Sequence, residues 1–253
     1  MGMLEIIAVA VAGAAAGAIN TIVGSGSLVT FPVLVALGYP PVVANVTNTV
    51  GLVPGSVAGT YGHRRELAGQ KSRITRLGVA SLLGAIVGAM LLLMLPASVF
   101  DSVVPVIIAI AVLLVIFQSR LDRLVASRRD ESGDGGWLLT FLVFLTGVYG
   151  GYFSAAQGIL LLAVLGLGLS ETLQRVNALK NVLQALVNLV ATVVFAIVAD
   201  VAWLAAGILA VGAIIGGQLG AHYGRKLPPV VLRGMIVVIG VVAIVMMVRT
   251  GPS

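Results

Sequence analysis

The sequence predicts an all-α polytopic membrane protein made of two inverted repeats of about five helical segments each. Three observations lead to this prediction. First, 59% of the 253 residues are hydrophobic and only 9% are charged, a composition typical of chains that cross a bilayer several times. Second, the apolar stretches form two sets on either side of a polar linker. Third, a pattern of polar residues inside one apolar stretch recurs about half a chain later, as expected of a duplicated membrane fold.

Each predicted segment is an apolar run that ends at a charge or turn signal, and about 20 residues suffice to cross the hydrocarbon core as a helix. The first membrane repeat, residues 1–119, contains runs at 4–22, 27–38, 41–62, 75–95 and 99–119. Residues 120–136 are polar and rich in glycine near their end, which predicts a flexible cytoplasmic linker. The second membrane repeat, residues 137–253, contains runs at 137–156, 158–169, 173–199, 202–222 and 229–248. The second run of each repeat is too short for an upright span, so we expect broken helices at the centre.

The basic residues predict which loops face the cytoplasm. They cluster between apolar runs, and the positive-inside rule places such loops in the cytoplasm. The N-terminus and the C-terminus then lie outside, and each half crosses the membrane five times, so the two halves are inverted. The Asp200 turn lies outside and Arg175 inside, whereas Arg249 near the outer C-terminus is an exception. The clusters are Arg64, Arg65, Lys71, Arg73 and Arg76, then Arg120, Arg123, Arg128 and Arg129, then Arg225 and Lys226.

Glycine spacing supports the duplication. Pairs of glycines four residues apart are small-xxx-small motifs, which let two helix backbones approach closely. We therefore expect these glycines to serve helix packing and not ligand binding. Two Leu-Pro pairs, Leu95-Pro96 and Leu227-Pro228, also correspond between the halves. The matched glycine pairs are Gly13 and Gly17 with Gly147 and Gly151, and Gly84 and Gly88 with Gly212 and Gly216.

Polar residues occupy one face of the third segment of each repeat. Their shared spacing of i, i+3, i+4 and i+11 is that of one helix face. Such residues in lipid usually line a bundle interior or a substrate route, although amides also join membrane helices as structural contacts. Both interpretations stay open for Asn45 and Asn177, which lie at helix starts, whereas Asn48 and Asn181 lie deeper and are better site candidates. The two sets are Asn45, Asn48, Thr49 and Ser56, and Asn177, Lys180, Asn181 and Asn188, with Thr47 and Gln184 on the same segments.

Small and polar residues interrupt the apolar pattern after the first segment of each repeat. The interruptions are Gly24-Ser25-Gly26-Ser27 and Ser154-Ala155-Ala156-Gln157-Gly158, with Gly158 matching Gly24. Glycines break a helix and free backbone N–H groups at the start of the next one, and such a start favours an anion. A Gly-Ser run alone is usually a turn, but a break at membrane depth is tolerated only inside protein or beside a cavity. We therefore predict that both breaks line a binding site.

Lys180 is the only lysine inside a predicted span, and Arg76, Arg175 and Arg233 lie within the first five residues of their segments. Burying Lys180 would cost roughly 2.5–3.5 kcal/mol on insertion scales, so it needs a partner. Because the acidic residues lie near segment ends, we predict that its counter-ion is a bound anion. The alternative is a lysine that extends to the cytoplasmic surface, since it lies only about two turns into its segment.

Several classes of function are disfavoured. The chain has no cysteine, which removes disulfides, thiolate metal sites and cysteine nucleophiles. It has no nucleotide-binding motif, no acidic residue at mid-membrane to carry protons in the usual way, and no readable nucleophile–base pair at membrane depth. His63 and His222 have no partner at a metal-binding spacing, and no basic soluble module indicates nucleic acid. We expect a protein that is not an enzyme and that needs neither a metal nor a cofactor.

In combination these motifs resemble the TauE/SafE family of sulfite exporter-like membrane permeases. The first-half match is Gly24-Ser25-Gly26-Ser27-Leu28, Pro32, Ala44-Asn45-Val46-Thr47-Asn48-Thr49 and Pro54-Gly55-Ser56. The second-half match is Gly150-Gly151-Tyr152-Phe153, Gln157-Gly158, Asn177-Ala178-Leu179-Lys180-Asn181 and Leu227-Pro228. The family usually has more glycines in the first break, where this chain has Ser25 and Ser27. The resemblance implies a multi-pass permease of the bacterial inner membrane for small anions, often sulfite or short organosulfonates.

The residues and the resemblance together predict a secondary transporter of small anions that works by alternating access between the two repeats. Alternatives are a permease for another anion such as a carboxylate, and a non-transporting membrane subunit that binds a partner through its basic cytoplasmic loops. The expected partners are a small anionic substrate and the lipid bilayer, and homo-oligomerisation stays open. The candidate substrate-binding residues are Gly24, Ser25, Gly26, Ser27, Asn45, Thr47, Asn48, Gln157, Asn177, Lys180, Asn181 and Gln184.

Overall fold

The computed structural model of the chain describes residues 1–127 and 135–223, together with residues 234, 237, 238 and 241. The two continuous ranges contain nine helices and no strand, which confirms the predicted all-α fold class. Five of these helices are long and apolar enough to cross a membrane. The helices are α1 (Met3–Ile22), α2 (Ser27–Ala36), α3 (Pro41–Gly62), α4 (Lys71–Met94), α5 (Ala97–Ser127), α6 (Trp137–Tyr152), α7 (Gln157–Gly168), α8 (Leu173–Val198) and α9 (Trp203–Tyr223).

Eight of the nine helices begin and end within four residues of their predicted segments. The predicted tenth segment at 229–248 lies almost entirely outside the described residues, and so do Arg225, Lys226 and the Leu227-Pro228 pair. The exception is α5, which differs from its prediction at its C-terminal end.

Helix α5 continues to Ser127, eight residues beyond the predicted end of the first repeat at 119. Helix α5 therefore extends into the first part of the predicted linker, residues 120–136. Polarity indicates that a segment has left the membrane, but it does not end a helix. The sequence from Arg120 to Ser127 contains leucine, arginine and alanine, which favour helix, and the first glycine of the linker is Gly133.

The first helix of each half packs along the fourth helix of the other half. Helix α1 lies along α9, and α6 lies along α4. A Cβ atom added to Gly13 would lie 2.7 Å from the backbone oxygen of Leu209, and one added to Gly147 would lie 2.7 Å from that of Ser81. Only glycine permits backbones this close, so the predicted packing role of the glycine pairs is confirmed.

The remaining helix contacts also come in matching pairs. Helix α3 packs against α9 while α8 packs against α4, and each short helix contacts the helix before it and the helix after it. Helices α3 and α8, the third helices of the two halves, pack against each other. This pairing agrees with a duplicated fold. The inverted orientation of the two repeats stays a prediction.

The two helix breaks cross inside the bundle. The backbone N–H of Gly158 donates to the carbonyl oxygen of Gly24 at 3.0 Å, and a Cβ added to Gly24 would lie 2.5 Å from the Gly158 Cα atom. Gly24 also has a φ of +86°, which favours glycine. The contact between the two breaks therefore depends on glycine at both positions.

Both short helices begin at this crossing. Helix α2 has 10 residues and α7 has 12, which corresponds to about 15 and 18 Å at 1.5 Å per residue. A hydrocarbon core of about 30 Å is longer than either helix. Their N-terminal ends, which carry the positive end of the helix dipole, thus meet in the interior of the bundle.

Three stretches that are distant in the sequence meet at one end of the molecule. Arg73 Nη1 lies 2.5 Å from Glu171 Oε1, and Arg175 Nε lies 2.7 Å from Glu171 Oε2. Arg76 Nη2 donates to the Gly135 carbonyl oxygen at 2.6 Å. Burial alone would raise the pKa of the Glu171 carboxyl, but the hydrogen bonds and charges of Arg73 and Arg175 outweigh it and lower that pKa. These contacts join regions that the charge pattern predicts to lie together on the cytoplasmic side of the membrane.

Candidate binding site at the crossing of the helix breaks

Polar side chains from α1, α2, α3, α7, α8 and both breaks are buried around the crossing. We call this set the polar cluster. Buried polar groups in a membrane protein need partners inside the protein, so the cluster can be followed bond by bond. Its members are Asn20, Ser25, Ser27, Thr30, Asn48, Ser56, Ser154, Gln157, Lys180, Asn181, Gln184 and Asn188.

Ser27, the first residue of α2, joins the two breaks through its hydroxyl group. Its Oγ atom lies 2.8 Å from Ser154 Oγ in the second break. Asn48 Nδ2 on α3 donates to Ser27 Oγ at 3.1 Å, and Thr30 Oγ1 donates to Asn48 Oδ1. Neutral groups alone therefore hold the start of α2 against the second break.

Two buried oxygen atoms beside the crossing have no hydrogen-bond partner among the described residues. They are Ser25 Oγ and Gln157 Oε1, and both side chains are completely buried. Gln157 Nε2 lies 3.5 Å from the Thr146 carbonyl oxygen, and a Cβ at Gly150 would overlap the Gln157 side chain. Leaving a buried polar atom unpaired costs about 1–3 kcal/mol. The two unpaired atoms next to the crossing are therefore good candidates for ligand contacts.

The Lys180 side chain is completely buried, with a relative exposure of 0%. Its Nζ atom donates to the carbonyl oxygen of Asn20 on α1 over a long distance of 3.4 Å. No acidic side chain in the described part of the chain forms an ion pair with it. The alternative that Lys180 extends to the cytoplasmic surface is therefore wrong for this structure.

Asn20 connects helices of both halves, although it is absent from the predicted site residues. Its Nδ2 atom donates to Ser56 Oγ on α3 at 3.2 Å, and its Oδ1 atom accepts from Gln184 Nε2 on α8 at 2.9 Å. The N–H of Gly26, just before α2, lies 3.5 Å from the same Oδ1 atom. The signal that could have identified Asn20 is a single amide in an otherwise apolar segment.

A narrow cleft separates α1, α3 and α8 within the polar cluster. Asn181 Nδ2 lies 3.5 Å from the Thr21 carbonyl oxygen at its edge. In this conformation the cleft does not admit a water-sized molecule, so any larger ligand requires the helices to separate. The cleft is lined by Asn20, Thr21, Ser56, Asn181 and Gln184.

Three predicted site residues form no hydrogen bond to the polar cluster among the described residues. Asn45 Nδ2 donates to the carbonyl oxygen of Tyr152 at 3.0 Å, at the end of α6. Thr47 Oγ1 accepts from the Ala202 N–H at 3.0 Å, just before α9. Asn177 is only half-buried, and its Oδ1 atom has no hydrogen-bond partner among the described residues. Asn45 and Thr47 thus satisfy backbone groups at helix ends, which is the structural interpretation of such residues.

The cluster has the chemistry of an anion site. It offers one ammonium group, several amide and hydroxyl donors, and the starts of two helices that carry no side-chain N-cap. The second break contributes less than predicted, because the Gly158 N–H already bonds to Gly24. Within the described ranges, no group of three or more His, Cys, Asp or Glu residues could hold a metal ion.

Comparison with known proteins gives consistent matches over the chain. The Sulfite exporter TauE/SafE family matches residues 9–247. A probable membrane transporter protein of Haemophilus influenzae is 27% identical over 233 residues, which are 89% of this chain and 88% of the relative. The probable membrane transporter protein YfcA of Escherichia coli K12 is 26% identical over 232 residues, 90% and 83% of the two chains. The probable membrane transporter protein ORF9 of a Sinorhizobium species is 25% identical over 231 residues, 89% and 85%.

No solved structure matches the chain significantly. The family match includes both helix breaks, α3 and α8, and these are the parts that build the polar cluster. Five apolar helices of membrane-spanning length agree with relatives that are membrane transporters. The chain therefore belongs to the TauE/SafE sulfite exporter family, and it is a membrane transporter and not an enzyme.

Proposed function

We propose that this chain is a secondary transporter for a small sulfur-containing oxyanion, sulfite or a short organosulfonate, in the bacterial inner membrane. The observation that supports this most is the complete burial of Lys180 without a carboxylate partner in the described part of the chain. An ammonium group away from water is stabilised by a counter-ion. A transported anion supplies that counter-ion, and the family to which the chain belongs favours a sulfur oxyanion.

Each group in the proposed site has a distinct role. Lys180 supplies the positive charge, and the hydroxyls of Ser25 and Ser27 donate to oxygen atoms of the anion. The amides of Asn48, Asn181 and Gln157 supply further N–H donors. A half rotation of the Gln157 amide would place Nε2, an N–H donor, where the unpaired Oε1 atom lies, since the two ends of an amide have nearly the same shape.

The closed cleft gives a physical basis for alternating access. The cleft does not admit a water-sized molecule, so this conformation is closed at the cleft among the described residues. Helices α3 and α8 come from different halves of the chain and face each other across the cleft. Movement of one half against the other would open the cluster to one side at a time.

A thermal stability measurement on purified protein in detergent tests the proposal. The anions are sulfite, methanesulfonate and acetate, and the proteins are wild type, Lys180→Met and Lys71→Met. Lys71 lies exposed at the start of α4, so Lys71→Met controls for the loss of any lysine. An anion at 100 times its Kd stabilises the folded protein by about 2.7 kcal/mol. We expect sulfite or methanesulfonate to raise the Tm of wild type and Lys71→Met but not that of Lys180→Met.

The other outcomes identify the alternatives. Stabilisation by acetate alone would favour a carboxylate permease over a sulfur oxyanion transporter. Absence of a shift with every anion in wild type would contradict the anion site and favour a subunit that acts through its basic cytoplasmic loops. An equal sulfite shift in wild type and Lys180→Met would remove Lys180 from the site.

A further inference from the structure

We infer that Lys180 takes up a proton together with the transported anion, so that the protein is a proton–anion cotransporter. The inference rests on the proposed transport function and adds the coupling ion to it. It starts from the environment of one side chain, the only lysine in the helical interior of the described structure.

The groups around Lys180 are neutral on every side that the structure describes. Its Nζ atom has a single hydrogen bond, to a backbone carbonyl on α1. The next polar residue on its own helix face is Gln184, which bonds to Asn20 Oδ1. A protonated Lys180 without an anion would therefore be an uncompensated charge at a completely buried position, which is strongly unfavourable.

The titratable groups on the neighbouring helices do not neutralise Lys180. Helix α7 contributes none, and the acidic residue of α1, Glu5, is bonded to Gly2 at the far end of that helix. The tyrosine Tyr149 of α6 donates to the Ala155 carbonyl oxygen. The remaining groups lie at or near helix ends: Tyr61 and His63 of α3, Lys71, Arg73 and Arg76 of α4, Tyr152 of α6, His222 and Tyr223 of α9, and Glu171 and Arg175 before and within the first turn of α8.

Proton binding and anion binding at Lys180 are consequently linked. An anion beside the amine stabilises the ammonium form, and the ammonium form attracts the anion. Linkage requires this effect to be reciprocal, so each ligand raises the affinity for the other. When neither the proton nor the anion is bound, the site carries no charge. The empty protein can then change conformation without moving a lone charge through the membrane interior.

The proposed step is balanced in charge. On the open side, the lone pair of the Lys180 amine takes a proton from water and forms an N–H bond, and one monovalent anion binds beside the resulting ammonium. The pair has no net charge while the protein changes conformation. On the other side the anion leaves, the N–H bond breaks, and the proton returns to water while the electron pair stays on nitrogen. Net flux follows the combined gradients of proton and anion.

Methanesulfonate in proteoliposomes tests this coupling, because its sulfonate group does not titrate near neutral pH and cannot carry the proton itself. Vesicles contain wild type, Lys71→Met or Lys180→Arg, and a trapped pH indicator reports proton movement. In wild type and Lys71→Met we expect one proton to move with each methanesulfonate, and an acidic outside to drive accumulation. Binding of methanesulfonate, measured separately, should strengthen by up to about tenfold per unit of falling pH, as one linked proton requires.

The Lys180→Arg variant separates coupling from anion binding, because arginine stays charged at all these pH values. We expect it to exchange methanesulfonate for methanesulfonate across the membrane but to move no protons. Methanesulfonate transport by wild type without proton movement would overturn the coupling and leave the transport function in place. Proton-coupled transport by Lys180→Arg would overturn the role of Lys180 as proton carrier. If wild type neither transports nor exchanges methanesulfonate, that result would overturn both the proposed coupling and the proposed transport of sulfonates.

Discussion

Among single residues, Asn20 makes the most contacts between the halves of the polar cluster. Its side chain bonds to Ser56 and Gln184, and its carbonyl oxygen accepts from Lys180. Removing the amide leaves the Gln184 amide without this partner, whereas Ser56 Oγ still donates to the Leu52 carbonyl oxygen. Each buried group that loses its hydrogen bond costs about 1–3 kcal/mol. Asn20 therefore joins α1 to α3 and α8, and it contacts Lys180 through its backbone carbonyl oxygen.

Two substitutions of Asn20 separate its structural role from its effect on the anion. Asn20→Ala removes the hydrogen bonds without adding charge, so we expect a lower Tm with an anion-induced shift that persists in reduced form. Asn20→Asp adds a carboxylate near Lys180, which would serve as a built-in counter-ion and abolish the shift. Thermal unfolding with and without methanesulfonate distinguishes the two. An undiminished shift in Asn20→Asp would show that the anion does not bind beside Lys180.

The sequence predicts which buried residues are polar better than it predicts their partners. Lys180, Asn48 and Gln184 are recognisable because each interrupts an apolar segment. Thr47 has the same signal, yet it bonds to the Ala202 N–H, since a shift of one residue turns a side chain about 100° around the helix. Asn20 escapes the prediction because it stands alone on its segment. Its role comes from hydrogen bonds to Lys180 and Gln184, which lie more than 100 residues away in the sequence. A single sequence does not show which residues so far apart are in contact.

Among the helices, α9 shows how glycine controls packing. A Cβ added to Gly216 would overlap the backbone oxygen of Ala14 on α1, whereas nothing lies within 4 Å of a Cβ added to Gly207. The two glycines share one helix but face different surroundings. Segment ends follow well from the sequence where turns or glycines mark them, and poorly at α5, where the helix continues to Ser127.

Alanine substitutions at these two glycines test the packing argument. We expect Gly216→Ala to destabilise the protein by about 1–3 kcal/mol, because an overpacked interface forces the helices apart. Gly207→Ala is the matched control, and it should be neutral or stabilising by up to about 1 kcal/mol through helix propensity. Thermal unfolding of both purified variants in detergent gives the comparison. Equal Tm values for the two variants would contradict the close contact of α1 with α9.

At the scale of the whole molecule, the two halves pack against each other through their first and fourth helices, and their helix breaks cross. Contact of α1 with α9 and of α6 with α4 places parts of each half against the other. Glycine patterns predict that each of these helices needs a close neighbour, but they do not identify the neighbour. The bond between Gly158 and Gly24 shows where the halves meet. We propose that the substrate site lies at this buried polar cluster between the two halves.

Uptake of radiolabelled sulfite into liposomes that contain only this chain tests the central claim most directly. Loss of a charge-assisted hydrogen bond of about 1.5–3 kcal/mol corresponds to roughly 10- to 150-fold in affinity. We therefore predict saturable uptake by wild type and Lys71→Met, and uptake reduced at least about tenfold in Lys180→Met despite a folded protein. Uptake by Lys180→Met at the wild-type rate, or no uptake by wild type, would contradict the account.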